Sequence, residues 1–362
     1  MGRMRLSRAD VLRYRVRAQE LDRGGGRHDA AVLDLGVQDT GPDGAAWALA
    51  IRGAAVPVED LALAWTLRGA PHFYRRQEIA AVATATAPWS DADAAKRIFD
   101  AARPLKAAGI PVLQALDVVA AEMRDIATRP VVKGEMSTQL TARLEPPYLR
   151  ECRPCQAVHA YEQPFRLAAL RAGLELEPGT SPPVLRRIPR WRGPATRVPE
   201  HLDPVRGVLH LLGPATLKLV AAYVDAPVGE VSARWPEDVQ PIEVEGRRLD
   251  ALADDLPALA GAEASRVVRL LGPFDLLLQG RDRDLVVPDP VARKDLWRML
   301  GRPGGVLAGD EVVGSWRPRA SGRKLRLAVS IWNGGDPPPG LDTEAERLAA
   351  FRGLSFAGYV DA

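Results

Sequence analysis

Residues 66–76 read TLRGAPHFYRR, and polar and apolar side chains alternate on both sides of Gly69 and Pro71. Alternation around a glycine and a proline predicts two short strands joined by a tight turn. Helical patterns fill the sequence before this segment, so the segment closes a helical unit with a basic β-hairpin. Helices followed by such a hairpin are the plan of a winged-helix domain.

Four helical patterns precede this hairpin. In SRADVLRYRVRAQEL, residues 7–21, Ser7 stands three residues before Asp10, which is the spacing of a capping box. Shorter helices are predicted for DAAVLDLG at 29–36, DGAAWALAIRG at 43–53 and VEDLALA at 58–64. We expect the first winged-helix domain to span residues 1–80.

The order of helices and then a hairpin recurs twice further along the chain. The second domain is expected over residues 81–198, where three helical patterns precede LELEPGTSPPVLRRIPRWR, a segment that predicts an extended wing. The third is expected over residues 199–262, where three compact helices precede VQPIEVEGRRLDAL, a hairpin about Glu245-Gly246. The sequence therefore predicts three tandem winged-helix domains.

The remaining residues, 263–362, follow a different pattern. Short strand-like stretches recur there: VVRLL, DLLLQG, DLVVP, GGVLAGD, EVVGSWRPR and KLRLAVSIW. Strands at such short intervals predict a small C-terminal β-barrel or sandwich. The predicted fold class is α+β and mainly α, with the β-barrel after the three winged-helix domains.

The composition is that of a globular protein. Hydrophobic residues make up 46% and charged residues 26% of the 362 residues. No apolar run approaches the roughly 20 residues that cross a bilayer, and two cysteines are too few for a disulfide scaffold. We therefore expect a cytoplasmic protein that does not bind membranes. The formal net charge is +3 and most basic residues are arginines, which fits either GC-rich codon usage or a phosphate-binding surface.

Several phrases, in order along nearly the whole chain, carry a family resemblance. They are LGVQDT, AAWALAIRG, AWTLRGAPH, CRPC, LLGPAT, LLGPFDLLLQGRDRDLVVPD and VVGSWRPR. The chain resembles the AlkZ-like winged-helix DNA glycosylases, a family whose other branch contains YcaQ. The resemblance implies three winged-helix modules and a β-barrel that curve around duplex DNA. It also implies excision of alkylated purines, including bulky adducts and crosslinks, from nucleoid DNA by a monomer without a cofactor.

Residues 33–41, LDLGVQDTG, contain the candidate catalytic residues Gln38, Asp39 and Thr40. The family motif is Gln, an apolar residue and Gln in the AlkZ branch, and Gln, an apolar residue and Asp in the YcaQ branch. Gln38 matches the first position. An ungapped count places Thr40 at the second catalytic position, whereas a one-residue deletion would place Asp39 there. The uninterrupted spacing from Gln38 to Trp47 favours Thr40.

The chemistry makes modest demands on these side chains. An alkylated purine is a cationic leaving group, so the enzyme mainly has to hold a water near the anomeric carbon and stabilise positive charge on the sugar. No lysine lies near the motif in sequence to form a Schiff base, which predicts a monofunctional enzyme. Two alternatives remain open: Asp39 or Thr40 caps a helix that begins near Pro42, or the protein binds DNA without cleaving adducts.

Ten residues are candidates for DNA contacts. A wing would present basic residues of the first hairpin, although charged residues also protect a solvated edge strand. KGEMSTQL, from residue 133, resembles the start of a recognition helix, although it also fits a surface helix with a polar stripe. The C-terminal segment SWRPRASGRK adds two arginines. The candidates are Arg68, His72, Arg75, Arg76, Lys133, Ser137, Thr138, Gln139, Arg317 and Arg319.

Cys152 and Cys155, with His159, have the spacing of zinc ligands. A closed structural site needs four ligands, and the chain has no second CxxC or HxxxH motif. Glu162 could be the fourth, but all four ligands would then come from one eleven-residue stretch. The sequence therefore favours a buried pair of reduced thiols, and we expect no metal.

Overall fold

The computed structural model describes residues 4–41 and 43–361, and for Asn333 only the backbone. Pro42, near which a helix start is expected, lies outside the described residues, as do residues 1–3 and 362. Helices and short strands alternate through most of the described chain, and a five-stranded sheet with longer strands follows at its C-terminal end.

The first helix–hairpin unit begins with a capped helix. Ser7 Oγ accepts from the Asp10 amide at 3.2 Å, and Asp10 Oδ2 accepts from the Ser7 amide at 2.8 Å, so the predicted capping box is confirmed. The elements of this unit are β1 Arg5–Leu6, α1 Arg8–Ala18, β2 Val37–Gln38, α2 Gly44–Ala50, β3 Leu61–Trp65 and β4 Pro71–Arg75, with 3-10 turns at Ala31–Asp34, Val58–Asp60, Leu67–Gly69 and Arg76–Glu78.

The helix predicted for VEDLALA is wrong. Val58–Asp60 is a single 3-10 turn, and β3 follows it with all five of its side chains buried. A strand covered on both faces reads as a continuous apolar run, so its sequence carries no period of two to distinguish it from a helix. The predicted hairpin is present, but its first strand is LALAW, and TLRG forms the turn.

The second unit contains more helical residues than any other part of the described chain. Its elements are α3 Ile79–Ala85, α4 Asp91–Arg97, α5 Ala102–Ala107, α6 Val112–Ile126, β5 Val131–Val132, α7 Lys133–Arg143, β6 Leu149–Cys152, β7 Ala157–Ala160, α8 Glu162–Arg171, β8 Leu174–Leu176 and β9 Val184–Arg187, with 3-10 turns at Phe99–Ala101 and Pro146–Tyr148. Strands β8 and β9 are the predicted wing. They join the first hairpin in a six-stranded sheet with the order β2-β4-β3-β8-β9-β5.

The third unit is the most compact. Its elements are α9 Pro204–Leu212, α10 Leu217–Val224, α11 Val228–Ser232, β10 Val239–Val244, β11 Arg247–Leu252 and α12 Leu256–Gly261, with 3-10 turns at Glu200–Leu202 and Ala253–Asp255. Glu245 and Gly246 have φ angles of 47° and 75°, as a two-residue hairpin turn requires. This confirms the predicted hairpin, and β1 pairs with β10 to complete a three-stranded sheet.

The C-terminal part is an open five-stranded sheet with the order β12-β13-β14-β15-β16. Its strands are β12 Val268–Leu271, β13 Gly304–Ala308, β14 Glu311–Ser321, β15 Lys324–Ile331 and β16 Ser355–Val360. Three helices accompany them, α13 Arg283–Val286, α14 Pro290–Leu296 and α15 Leu341–Phe351, as do 3-10 turns at Leu276–Gln279 and Trp332–Gly334. The stretches DLLLQG and DLVVP, predicted as strands, are therefore helical turns.

The expectation of a closed β-barrel is wrong, because β12 and β16 are the two edges of the sheet in the described chain. Helix α15 packs against both edge strands, and its side chains Leu341, Ala345 and Leu348 are buried in one cluster with those of the sheet. The sheet therefore buries its apolar face against a helix, which sequence analysis did not predict, instead of closing on itself.

Within the described residues, no single helix is both long enough and apolar enough to cross a membrane. The consecutive segments Phe99–Ala107 and Val112–Ile126 satisfy both conditions only when taken together, and they are bent by 103° relative to each other.

A buried ion pair joins α2 to the start of the C-terminal part. Arg52 Nη1 and Nη2 donate to Asp275 Oδ2 and Oδ1 at 2.7 and 2.9 Å, and both side chains are 0% exposed. Arg52 also donates to the carbonyl oxygens of Gln19 and Ala48, each at 2.8 Å. The guanidinium thus connects α1, α2 and the loop after β12. The apolar packing of Trp47 against the C-terminal sheet lies beside this pair.

Neutralising this ion pair is expected to destabilise the whole protein. In the Asp275→Asn variant a buried guanidinium would lose its counter-charge, and breaking a buried pair costs about 3 kcal/mol or more. The measurement is the free energy of unfolding from denaturant titration. Asp284→Asn is the control, because its partnership with Arg247 is exposed to solvent and should matter little. Equal effects of the two changes would contradict the structural role of Asp275.

Candidate active site

Gln38 is held at the edge of the six-stranded sheet. Strand β2 pairs with β4, and Gln38 lies opposite His72 in the antiparallel register. The next residue continues this attachment, since the Asp39 amide donates to Pro71 O at 2.8 Å. The chain then turns at Gly41, which has a φ of 94° that favours glycine, before α2 begins at Gly44. The fold therefore fixes the backbone on both sides of the QDT turn, residues 38–40.

The side chains of Gln38 and Thr40 act as a pair. Gln38 Nε2 donates to Thr40 Oγ1 at 2.9 Å. This bond engages the nitrogen of the amide and leaves its carbonyl oxygen as an acceptor, and it limits rotation of the side chain. A hydrogen-bonded carbonyl dipole in a fixed direction can orient a water molecule and favour positive charge nearby.

Asp39 has a different environment from its two neighbours. Its Oδ1 accepts from the Ala45 amide at 3.1 Å, so the carboxylate caps the first turn of α2 from outside the helix. Burial raises the pKa of Asp39, with a further contribution from Asp43, while the hydrogen bond from Ala45 opposes the increase. Of the two residues that the sequence offers as a helix cap, Asp39 is the one that caps, and the helix begins at Gly44.

A pocket of about 370 Å³ lies between the QDT turn, α2 and the C-terminal sheet. Thr40 lines it, together with the start of α2, whereas Gln38 and Asp39 are not among its lining residues. The volume falls within the range of small-molecule sites. The side chains that define its walls are Thr40, Trp47, Phe274, Arg302, Trp316 and Arg352.

The aromatic walls are held in place by backbone contacts. Trp47 Nε1 donates to Leu270 O at 2.6 Å, and Trp316 Nε1 donates to Leu271 O at 2.9 Å. Both indoles are therefore anchored to strand β12. Arg302 lies over the ring of Phe274, with 5.1 Å from its guanidinium carbon to the ring centroid. Trp47 and Trp316 are only 2% and 3% exposed, so they give the pocket a fixed apolar wall, a shape that suits a flat heterocycle.

Of three arginines that the sequence did not single out, Arg302 lines this pocket, and Arg281 and Arg283 lie near enough to act electrostatically on Arg302. Arg281, Arg283 and Arg302 form no salt bridge within residues 4–41 and 43–361. Burial lowers the pKa of all three, and repulsion from Arg283 and Arg281 contributes to the lowering at Arg302, to about 10. Carboxylates lie nearby, Asp225 among them, but none in the described part of the chain forms a salt bridge with these arginines, so the cluster keeps positive charge that would favour a phosphate. The phrase GRDRD carried this signal, because its two arginines stand two residues apart.

The structure contradicts the expectation that His72 contacts DNA. The side chain is 1% exposed, and burial lowers its pKa to about 3, so the imidazole is neutral. Its Nδ1 donates to Ala70 O at 2.9 Å, which fixes the tautomer, because a carbonyl can only accept. His72 therefore supports the strand opposite Gln38 from within the protein.

The other residues of the predicted wing are engaged inside the protein. Arg75 forms salt bridges with Asp29, Asp34 and Glu78 at 2.7, 2.6 and 3.1 Å. Arg76 binds Glu175 at 2.9 Å, and Arg68 donates to Tyr223 O and to Gln279 Oε1 at 2.8 and 2.6 Å. In this conformation these arginines hold the hairpin against neighbouring elements. Carboxylates neutralise Arg75 and Arg76, whereas the two acceptors of Arg68 are uncharged.

The remaining candidates are distributed over two surfaces. Lys133, Ser137, Thr138 and Gln139 lie on α7, where Lys133 binds Glu162 at 2.8 Å and Thr138 is exposed. Arg317 and Arg319 lie on β14. Arg317 lines the pocket, and Arg319 is exposed. The structure thus brings Thr40 and Arg317 to one pocket and keeps α7 as a separate candidate surface.

Cys152 and Cys155 are not the buried pair of thiols that the sequence favours. Cys152 is half-buried and Cys155 is exposed, at the end of the β6–β7 hairpin. The reason is that the hairpin is a separate two-stranded sheet and projects from the body of the protein.

A second cavity, of about 500 Å³, lies between the first and third units. Its lining has four carboxylates, Asp34, Glu200, Asp254 and Asp255, against one arginine, Arg206, and two histidines, His201 and His210. The excess of carboxylates would repel a phosphate backbone. The pocket beside Thr40 is therefore the better candidate for nucleic-acid chemistry.

The raised pKa of Asp39 makes a prediction about stability and pH. The folded protein holds the proton more tightly than the unfolded chain, so the contribution of Asp39 to stability falls as pH rises above about 3.9, its ordinary pKa. Asp39→Asn keeps the acceptor for Ala45 and does not titrate. Relative to wild type, the variant should therefore gain free energy of unfolding between about pH 4 and neutral pH.

Denaturant titrations at the two pH values measure this change. The control is Asp238→Asn, because a hydrogen bond from Arg206 lowers the pKa of Asp238 and reverses the sign of the effect. If the free energy of unfolding of Asp39→Asn fell relative to wild type towards neutral pH, the charged Asp39 carboxylate would not be destabilised by burial.

Comparisons with known proteins agree on one family. Residues 32–351 match the sequence model of the family described as DNA glycosylase AlkZ-like. The solved structure of Streptomyces sahachiroi DNA glycosylase AlkZ is similar with a TM-score of 0.74 at 21% identity, over 99% of this chain and 100% of that chain. A comparison with curated proteins gives no significant match. Since the family match covers most of the chain, the protein belongs to the AlkZ-like family of DNA glycosylases, enzymes that cleave the bond between a base and its sugar.

Proposed function

We propose that this glycosylase excises N7- or N3-alkylated purines, including bulky or crosslinked adducts, from double-stranded DNA by water attack at the anomeric carbon. The observation that carries the proposal is the hydrogen-bonded pair Gln38 and Thr40, with Thr40 lining an aromatic-walled pocket. The pair supplies an oriented carbonyl for water, and the pocket supplies a place for the base.

The reaction needs no cofactor from this chain. As the bond from the sugar carbon to the purine nitrogen breaks, its electron pair moves to the base and neutralises the positive charge that alkylation created. Water forms the new bond to carbon and releases a proton. The carbonyl of Gln38 would orient that water and favour the positive charge on the sugar. Because the leaving base is already cationic, a neutral amide is sufficient.

The contacts of the QDT turn support Thr40 as the second residue of the motif. Thr40 Oγ1 holds the Gln38 amide, and Thr40 reaches the pocket. The Asp39 carboxylate instead faces the amide end of α2, where it accepts from Ala45. We assign Gln38 to the catalytic role, Thr40 to the positioning of Gln38, and Asp39 to the conformation of the turn.

The pocket and the arginine cluster suit an extruded nucleotide. A base that undergoes chemistry has to leave the helical stack and enter a pocket. The buried rings of Trp47 and Trp316 close the apolar wall against which an alkylated purine would pack. Arg302, which lies over Phe274, belongs both to the pocket lining and to the unpaired cluster with Arg281 and Arg283. Phosphates on either side of the extruded nucleotide would bind that cluster.

The helix–hairpin units are proposed to act as three winged-helix modules, over residues 1–80, 81–198 and 199–262, that contact the duplex around this pocket. Helix α7 and Arg319 would add contacts from two sides. We further propose that the enzyme acts as a monomer on nucleoid DNA in the cytoplasm.

The enzyme is proposed to be monofunctional. Cleavage of the DNA strand by a glycosylase requires an amine that forms a Schiff base with the sugar. None of the described residues lining the pocket is a lysine. The expected product is therefore an intact strand with an abasic site.

Removal of one arginine from the unpaired cluster is expected to weaken duplex binding. Arg283→Gln should reduce the slope of log affinity against log salt by about one unit, because one phosphate contact is lost. Fluorescence anisotropy over a salt series measures the slope. Arg171→Gln is matched in charge, but Arg171 is already paired with Asp117, so its slope should equal that of wild type. Equal slopes for Arg283→Gln and wild type would remove the cluster from the DNA interface.

Substitutions in the QDT turn test the catalytic assignment. Gln38→Ala should slow release of N7-methylguanine about 10²-fold in single-turnover assays, because it removes a preorganised dipole. Thr40→Val should slow release about fivefold, since it removes one hydrogen bond of about 1 kcal/mol that positions the amide. DNA affinity should change little in either variant.

Two conservative changes serve as controls. Thr40→Ser keeps the hydroxyl and should retain most of the activity, and Asp39→Asn keeps the acceptor for Ala45 and should be mild. A severe Asp39→Asn defect together with a mild Thr40→Val defect would transfer the second catalytic role to Asp39. Wild-type protein that binds duplex DNA but releases no alkylated base would overturn the proposed reaction and leave a non-catalytic DNA-binding protein.

A further inference from the structure

The β6–β7 hairpin brings three metal-ligating side chains together. Sγ of Cys152, Sγ of Cys155 and one ring nitrogen of His159 all lie within 4.8 Å of one another. Among the residues that the structure describes, no other group of cysteine, histidine and acidic side chains is this compact. Tetrahedral zinc with bonds of about 2.3 Å to sulfur and 2.0 Å to nitrogen holds its ligand atoms slightly closer than this, so side-chain rotation alone can complete the site.

The backbone of the hairpin produces this convergence. Arg150 lies opposite His159 and Cys152 lies opposite Ala157, so Cys152 and His159 share one face as diagonal neighbours. The turn then folds back on itself. The Cys155 amide donates to Cys152 O at 3.2 Å, and Gln156 has a φ of 49°, in the left-handed region. This reversal returns the second thiol towards the first.

The hairpin has little else to stabilise it. It forms a two-stranded sheet of its own, and most side chains of β6 and β7 are exposed or half-buried. A two-stranded hairpin without a hydrophobic face is marginally stable in water. Its main links to the body are at its base, where the Ala160 amide donates to Thr141 Oγ1 of α7 at 3.1 Å.

We propose that Cys152, Cys155 and His159 bind a zinc ion that fixes the end of this hairpin beside α7. Two thiolates and a neutral imidazole would neutralise the charge of the ion. The fourth position belongs to a water molecule, because Glu162, the acidic residue next in sequence, is held by Lys133 at 2.8 Å and by Arg166 at 2.6 Å. With three protein ligands the site is open and not a closed four-ligand site; its proposed role is to hold the end of the hairpin, and it is independent of the proposed base excision.

Metal analysis of the full-length protein tests the proposal. Protein purified without chelators and supplied with zinc under reducing conditions should retain a stoichiometric amount after desalting, measured by plasma mass spectrometry. Cys155→Ser and His159→Ala should each lose most of the metal. Glu162→Gln should keep it, because Glu162 is not a ligand. The ligand residues are exposed or half-buried, and circular dichroism checks that each variant remains folded.

Substitution with cobalt gives a second readout that does not depend on activity. Tetrahedral cobalt bound to thiolates should show charge-transfer absorption in the near ultraviolet, and the Cys155→Ser variant should lose it. Reduced wild-type protein that retains neither metal, or a metal content that is unchanged in both ligand variants, would overturn the site. A disulfide between Cys152 and Cys155 that persists in reductant would overturn it as well.

Discussion

The ion pair between Arg52 and Asp275 determines where the QDT turn lies relative to the rest of the protein. Arg52 follows α2, the helix whose first turn is capped by Asp39. Asp275 lies between β12 and the 3-10 turn Leu276–Gln279. Both side chains are fully buried, so a shift of either segment would expose an unpaired charge to an apolar interior. The pocket is formed between the two segments that this pair connects.

Uncharged side chains and unpaired arginines occupy different parts of the site, which fits a cationic leaving group. Gln38 and Thr40 carry no charge, and burial keeps His72 deprotonated. The Asp39 carboxylate of the same turn is engaged by the Ala45 amide. The unpaired arginines adjoin the aromatic pocket, with Arg302 in its lining. Positive charge placed where phosphates would lie promotes DNA binding, whereas positive charge beside the sugar would oppose an oxocarbenium-like transition state.

Local sequence patterns predicted the features that depend on neighbouring residues. The capping box at Ser7 and the hairpin turn at Glu245-Gly246 belong to this group, and the structure confirms both. Tertiary packing decided the rest: LALAW is a strand because other elements cover both of its faces, and the C-terminal sheet stays open because α15 covers it. The candidate turn was found through family resemblance, but the separate environments of Asp39 and Thr40 depend on contacts with α2 and the pocket.

In the proposed reaction, the pocket beside Thr40 receives the target nucleotide, and Gln38 is directed at its sugar. The most direct measurement is a crystal structure of the protein with duplex DNA that contains a stable abasic-site analogue. We expect the analogue to lie extruded beside the QDT turn with its sugar facing Gln38, and the flanking phosphates to contact the cluster of Arg281, Arg283 and Arg302. A complex in which the duplex binds another face and leaves this pocket open to solvent would contradict the account.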